Sequence, residues 1–136
     1  MIDALITKRE YICSRMSSKP TLVIGASLNP SRYSHLAVQR LRLHQHPVYA
    51  IGKRSGNILD VMIEKEKKKF EKIHTITLYL NPDHQKEYYD YIISLKPERI
   101  IFNPGAENPE LALLASQQGI HTWEACTLVL LSTGQY

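Results

Sequence analysis

Short apolar runs alternate along this chain with longer segments of helical periodicity. The first run, residues 21–24, is continuously hydrophobic after its threonine and ends at Gly25, a pattern typical of a buried parallel strand. The predicted strands cover residues 21–24, 47–51, 75–80, 99–102 and 120–123. The predicted helices cover residues 33–44, 83–95, 108–119 and 127–131. Strands alternating with helices predict an α/β fold, a Rossmann-like three-layer sandwich with a five-stranded, mostly parallel sheet.

Two segments fit this alternation less clearly. Residues 53–73 have no dominant period, and 58–63 could be either a short strand or part of a loop. At the N-terminus, Ile2, Leu5, Ile6 and Ile12 could line one face of a helix, so residues 1–18 are predicted to be a helical extension. With 136 residues and no linker-like stretch, the chain is expected to form a single domain over 1–136.

Composition and charge narrow the function classes. Hydrophobic residues make up 43% of the chain and charged residues 22%, as in ordinary globular proteins. The net charge of +4 suits an anionic small ligand and does not by itself imply nucleic acid. The two cysteines form no metal-binding pair, and no apolar stretch approaches the roughly 20 residues of a membrane span. We therefore expect a cytoplasmic protein with no membrane and no nucleic-acid partner.

The end of the first predicted strand carries a candidate phosphate site. Gly25, Ala26 and Ser27 leave the strand, and Arg32 follows at the start of the next helix. Glycine permits a tight turn, helix amides attract anions, and serine and arginine add a hydroxyl and a charge. The loop lacks both the G-x-G-x-x-G dinucleotide pattern and the P-loop pattern. An ordinary strand–helix turn remains the alternative.

Two cations follow the second predicted strand. Gly52 is succeeded by Lys53 and Arg54, at the place where NAD-binding domains carry an acid for the ribose hydroxyls. Cations there favour a ribose that carries a phosphate, as in coenzyme A with its 3′-phosphate or NADP with its 2′-phosphate. A basic surface turn is the other interpretation of this pair.

The next two strands both end in Asn-Pro corners. Leu80, Asn81 and Pro82 follow the third predicted strand, and the segment Asn103-Pro104-Gly105 follows the fourth. At the carboxyl edge of a parallel sheet these corners would form a wall of amides and carbonyls beside the phosphate site. Asn81 is also a suitable helix cap with proline at the first helical position, and one residue can serve both purposes.

Five segments together resemble a known family: TLVIGASLNPSRYSHLAV, PVYAIGKRSG, TLYLNPDHQ, IIFNPGAENPEL and EACTLVLLSTGQY. They resemble the small bacterial CoA-binding-domain proteins, which are similar to the CoA-binding domain of the succinyl-CoA synthetase α subunit. The resemblance covers roughly residues 19–136. It implies a coenzyme A ligand, with the loop at Gly25 and the neighbouring Arg32 and Tyr33 holding phosphates. It also implies that Lys53 meets the adenosine end.

The same resemblance implies that residues 80–82 line the ligand and that residues 103–107 flank the pantetheine arm. The synthetase also requires a catalytic histidine from a second domain and a partner subunit, and this chain has no counterpart of that domain. Ligase activity is therefore not expected. The main hypothesis is a non-catalytic carrier, sensor or binding module for coenzyme A or an acyl-CoA.

The other reactive residues of the sequence do not predict a second functional site. The six histidines show no H-x-x-x-H spacing, so we predict neither a metal site nor catalytic residues. Two alternatives stay open: an NADP-binding oxidoreductase-like domain, and a partner-binding subunit with a vestigial nucleotide site. A homodimer is also left open.

Overall fold

The computed structural model describes residues 18–136, so the predicted N-terminal helix falls outside the described residues. The strands are β1 Thr21–Ala26, β2 Val48–Gly52, β3 Gly56–Ile58, β4 Val61–Glu64, β5 Thr75–Leu78, β6 Arg99–Phe102 and β7 His121–Glu124. The helices are α1 Tyr33–Leu43, α2 Pro82–Gln85, α3 Tyr89–Leu95, α4 Pro109–Gln117 and α5 Thr127–Ser132, with a 3-10 turn at Lys86–Tyr88 between α2 and α3.

All seven strands belong to one sheet in the order β3-β4-β2-β1-β5-β6-β7. The prediction of an α/β fold with a mainly parallel sheet is confirmed, because β3 alone among these strands runs antiparallel to its neighbour. The predicted count of five strands is wrong. The two additional strands, β3 and β4, form a hairpin in the segment whose sequence showed no clear period.

The hairpin is held in place by contacts that are distant in sequence. Its two-residue turn contains Asp60, whose carboxylate accepts two hydrogen bonds from Arg42 of α1, at 2.9 and 2.7 Å. Ile58 and Ile63 are buried in the same hydrophobic cluster as Val38 of α1. Neither strand could stand alone at three or four residues, so α1 and β2 stabilise a pair that local propensity leaves undecided.

Helices pack on both faces of the sheet. On one face, Leu22 and Ile24 of β1 join a cluster that includes Ile92 of α3 and Leu111 of α4. On the other face, Val23 joins a second cluster that contains residues of α1 and α5. Successive β1 residues thus alternate between two cores, which explains why the strand reads as a continuous apolar run.

The single helix predicted over 83–95 is divided into α2, the 3-10 turn and α3. Gln85, at the end of α2, is fully buried although it is polar. Its amide nitrogen donates to the carbonyl oxygens of Leu80 and Ala106, both at 2.8 Å. These bonds fix α2 against the loop after β6. Between residues 18 and 136 no helix has the length and apolarity needed to cross a membrane.

Candidate site at the carboxyl edge of the sheet

Four strand ends that the sequence singled out lie side by side on one edge of the sheet. Strands β2, β1, β5 and β6 are consecutive neighbours and run parallel, so their carboxyl ends meet at the same edge. This edge, which we call the rim, carries the turns after Ala26, Gly52, Leu78 and Phe102. The turns that carry the predicted site residues are therefore brought to one rim.

The turn after β1 depends on a glycine. Gly25 has φ +96°, a conformation that residues with a side chain rarely adopt. A Cβ at this position would also lie 3.0 Å from the carbonyl carbon of Tyr79. The backbone hydrogen bond from Tyr79 to Ile24, 2.9 Å, brings the end of β5 against this turn. Gly25 thus allows β1 to end in close contact with the neighbouring strand.

Internal hydrogen bonds fix the loop that follows. Ser27 Oγ accepts from the Asn29 amide at 3.1 Å, which leaves the hydroxyl proton of Ser27 available to another acceptor. Asn29 Oδ1 accepts from the Ser31 amide at 3.0 Å, and the Arg32 amide donates to Asn29 O at 3.0 Å. His35 Nδ1 donates to Ser27 O at 2.9 Å from the first turn of α1. The loop is therefore preorganised, and sequence reasoning did not identify His35 as its support.

The β3–β4 hairpin supports the same loop from outside. A Cβ on Gly56 would lie 2.8 Å from two methyl carbons of Leu28, so the Leu28 side chain packs directly against the backbone of Gly56. Neither Leu28 nor Gly56 was among the predicted site residues. The two residues are 28 positions apart in sequence, and neither hydrophobic periodicity nor loop motifs can predict a contact over that separation.

Helix α1 begins at this loop without a side-chain cap. Arg32 occupies the N-cap position and makes no capping hydrogen bond, and the first turn contains no acidic residue. In contrast, Asn81 and Asn108 cap α2 and α4 by accepting from backbone amides. The His35 and Leu36 amides donate to Arg32 O, whereas within residues 18–136 the Tyr33 and Ser34 amides have no acceptor, so this helix end keeps two donors and positive potential for an anion.

The end of β2 lies against the end of β1. Gly52 pairs with Ala26, and a Cβ on Gly52 would lie only 2.2 Å from the Ala26 carbonyl oxygen. Lys53 and Arg54 follow directly and are exposed. Within residues 18–136, neither these two cations nor Arg32 forms an ion pair with a carboxylate. Three cations are thus gathered on two adjacent turns of the rim.

The two Asn-Pro corners differ in what their asparagines do. Asn81 is exposed, and its Oδ1 accepts from the His84 amide at 3.0 Å, which confirms the predicted cap. Asn103 is only 2% exposed, and its amide nitrogen donates to Thr77 Oγ1 at 2.6 Å and to Leu78 O at 2.9 Å. Its Oδ1 accepts from the Thr127 amide at 2.9 Å. At the second corner, Asn103 directs its side chain inward, whereas Pro104 and Gly105 are exposed on the rim.

A buried polar network lies beneath these corners. Gln85 Oε1 accepts from Asn108 Nδ2 at 2.9 Å, and the same nitrogen donates to the Tyr89 hydroxyl at 2.8 Å. The bonds from Gln85 to Leu80 O and Ala106 O join the two corners to each other. Sequence reasoning missed Gln85, because a glutamine in an amphipathic helix usually faces solvent.

Tyr79, between Gly25 and Leu80, carries an unusual hydroxyl. Its Oη is buried and forms no hydrogen bond of ordinary geometry within residues 18–136, although the Thr127 and Thr77 hydroxyls lie near it, and burial raises the pKa of this phenol. The nearby hydroxyls of Thr77 and Thr127 instead bond to each other at 2.8 Å. Tyr79 remains protonated at neutral pH and packs against the second hydrophobic cluster.

The rim gathers donors and positive charges of the kind that attract an anion. Uncapped amides, the Ser27 hydroxyl and three cations without an ion pair among residues 18–136 occupy one end, and proline-containing corners occupy the other. Two cavities, of about 360 and 290 Å³, lie between helices α3 and α4 and between α1 and α5, away from this rim. No group of three potential metal ligands occurs among the described residues.

Comparisons with known proteins agree with this geometry. The family model described as CoA binding domain matches residues 19–132. A crystal structure of an uncharacterized protein is 44% identical, with a TM-score of 0.86, over 88% of this chain and 99% of that chain. No curated protein matches.

Two more distant structures show the same fold. A Thermus thermophilus protein described as cell-free ID.343 is 16% identical, with a TM-score of 0.77, over 96% of this chain and 100% of that one. A hypothetical protein from Pyrococcus horikoshii OT3 is 19% identical, with a TM-score of 0.78, over 98% of each chain. Since the family model covers most of the sequence, this chain belongs to the CoA binding domain family.

Proposed function

We propose that this protein binds coenzyme A, or an acyl-CoA, along the rim of its Rossmann-like domain and acts as a non-catalytic carrier, sensor or binding module. The observation that supports this most strongly is the uncapped amino end of α1 beside three cations that have no carboxylate partner within residues 18–136. Membership of the CoA binding domain family supports the same ligand.

The proposed arrangement follows the order of the turns. The diphosphate binds at Gly25, Ala26 and Ser27, with the amides of α1 and the Arg32 guanidinium around it. The ribose 3′-phosphate binds at the turn Gly52–Lys53–Arg54. The pantetheine arm passes over residues 80–82 and 103–105. Because the side-chain oxygen of Asn81 and the side chain of Asn103 already have protein partners, these corners contribute backbone and proline surface.

Calorimetric titration of the full chain with CoA, dephospho-CoA, NADP, NAD and ATP tests this proposal. We expect CoA to bind most tightly, and dephospho-CoA, which lacks the 3′-phosphate, to bind more weakly. Tighter binding of NADP would support the oxidoreductase-like alternative, and no heat with CoA in a folded sample would refute the proposal. Native mass spectrometry of protein from its host would show a retained nucleotide directly.

Charge-removing variants assign the phosphates. Charge-assisted hydrogen bonds contribute about 1.5–3 kcal/mol each, so Arg32→Ala should weaken both CoA and dephospho-CoA by at least tenfold. Lys53→Ala should weaken CoA and leave dephospho-CoA nearly unchanged. Arg40→Ala is the matched control, because Arg40 is exposed in the last turn of the same helix. Equal CoA affinity in all three variants would show that the rim is not the site.

A further inference from the structure

The loop after β1 also presents the side chains of Leu28 and Tyr33. The family resemblance assigns Tyr33 to the phosphates, but the phosphate arrangement proposed above does not require its ring. Tyr33 is 74% exposed and Leu28 is 38% exposed, at opposite ends of the same short loop. The hydrogen bond from the Arg32 amide to Asn29 O closes a β-turn between them. A β-turn brings its ends within about 7 Å, so the flanking residues leave it side by side.

Each of these side chains is placed by a separate contact. Leu28 packs against Gly56, as described above, and this contact holds its side chain in position. Tyr33 is the first residue of α1, and long side chains on a helix lean toward its N-terminus, here over the loop. A flat heteroaromatic ring placed between these two side chains would have an aromatic and an aliphatic face to pack against, and we call this position the slot.

The geometry points to Tyr33 as the stacking platform for the adenine base of the ligand, with Leu28 as the opposite wall. This inference rests on the proposed function and adds the residue that recognises the base. The slot lies beside Gly56, two residues beyond Arg54, so a base held there places its ribose phosphate near the cation pair. The ligand class is thus an adenine nucleotide, recognised at its base as well as at its phosphates.

Fragments of coenzyme A separate base recognition from the rest of the molecule. Adenosine 3′,5′-bisphosphate carries the base without pantetheine, and 4′-phosphopantetheine carries the arm without the base. Stacking of a base on an aromatic ring contributes about 1–3 kcal/mol. Tyr33→Ala should therefore weaken CoA and adenosine 3′,5′-bisphosphate about tenfold or more and leave 4′-phosphopantetheine unchanged. Tyr33→Trp should restore the affinity.

Calorimetry on the full chain measures these affinities, with thermal denaturation confirming that each variant is folded. Leu43→Ala is the matched control, since Leu43 is 71% exposed at the other end of α1. Unchanged binding of adenosine 3′,5′-bisphosphate to Tyr33→Ala would overturn the inference, as would a selective loss of 4′-phosphopantetheine, which would place the arm in the slot. Absence of CoA binding in the unsubstituted protein would instead refute the proposed function.

Discussion

The close approach of Gly52 to Ala26 makes Gly52→Ala the most direct test of the rim. A Cβ at position 52 would lie 2.2 Å from the Ala26 carbonyl oxygen, whereas carbon–oxygen contacts are normally about 3.3 Å or longer. The two turns must therefore separate by about 1 Å. Overpacking of this kind costs roughly 1–3 kcal/mol, occasionally more, and backbone atoms cannot rotate away as a flexible side chain can. We expect a loss of about 3 kcal/mol in the free energy of unfolding.

The same displacement should weaken CoA, because Ala26 leads into Ser27 and Gly52 leads into Lys53. Urea denaturation measures the loss of stability, and calorimetry on the folded fraction measures the affinity. Gly119→Ala is a matched control, since no atom lies within 4 Å of its Cβ position but its φ is +77°. It should cost about 1 kcal/mol from backbone strain alone and leave CoA affinity unchanged. If Gly52→Ala is no less stable than Gly119→Ala and binds CoA normally, the packing of the two turns is not as described.

Three further substitutions test buried groups. Asn103→Ala removes three buried hydrogen bonds and should lower the free energy of unfolding, measured by urea denaturation, by about 2–4 kcal/mol. Asn81→Ala removes only an exposed helix cap and should cost about 1 kcal/mol. Equal losses in the two variants would contradict this reasoning. Tyr79→Phe removes a hydroxyl that forms no hydrogen bond of ordinary geometry among the described residues, and it should raise the free energy of unfolding by about 1 kcal/mol. Tyr89→Phe removes a bonded hydroxyl and should lower it. A loss of stability in Tyr79→Phe would show that Oη has a partner. Burial and neighbouring cations lower the pKa of His46 from 6.5 to about 4, so the folded state favours the neutral imidazole. The resulting contribution to the free energy of unfolding is complete above pH 6.5. That stability, about 2–3 kcal/mol, is lost as pH falls toward 4, and His46→Gln should flatten the slope of stability against pH over this interval.

The fold could be predicted from sequence where its determinants are local. The strand at Arg99–Phe102 was predicted at its observed bounds, because Ile100, Ile101 and Phe102 form a short continuous apolar run between two segments of helical pattern. The cap and proline at Asn108 and Pro109 likewise marked the start of α4. The hairpin was not resolved, since its strands are three and four residues long and depend on Arg42 and on β2.

The two Asn-Pro corners show where sequence reasoning about the site reaches its limit. Both read as the same motif at the end of a buried strand. Asn81 bonds three residues ahead, a local relationship that the sequence displays, whereas the partners of Asn103 lie 24 to 26 residues away. Which asparagine faces the rim is decided by strand order and by the position of α5. Propensity and motif carry no information about either.

The two edges of the sheet treat positive charge differently, and this contrast explains how a basic chain can have a localised site. At the amino edge, Arg99 is 5% exposed, its guanidinium lies 4.6 Å from the Trp123 ring and 4.3 Å from the Tyr136 ring, and it donates to Thr75 Oγ1 at 2.7 Å. His74 there lies 2.9 Å from Glu98, and because burial lowers the pKa of His74 it carries little charge near neutral pH. These groups obtain their stabilisation within the protein. Arg32, Lys53 and Arg54 at the rim are instead exposed, and within residues 18–136 no carboxylate pairs with them, so their field extends into solvent. The net charge of +4 therefore bears on the proposed function through its placement, since the cations that a ligand in solvent could reach are the exposed ones at the rim rather than the buried Arg99.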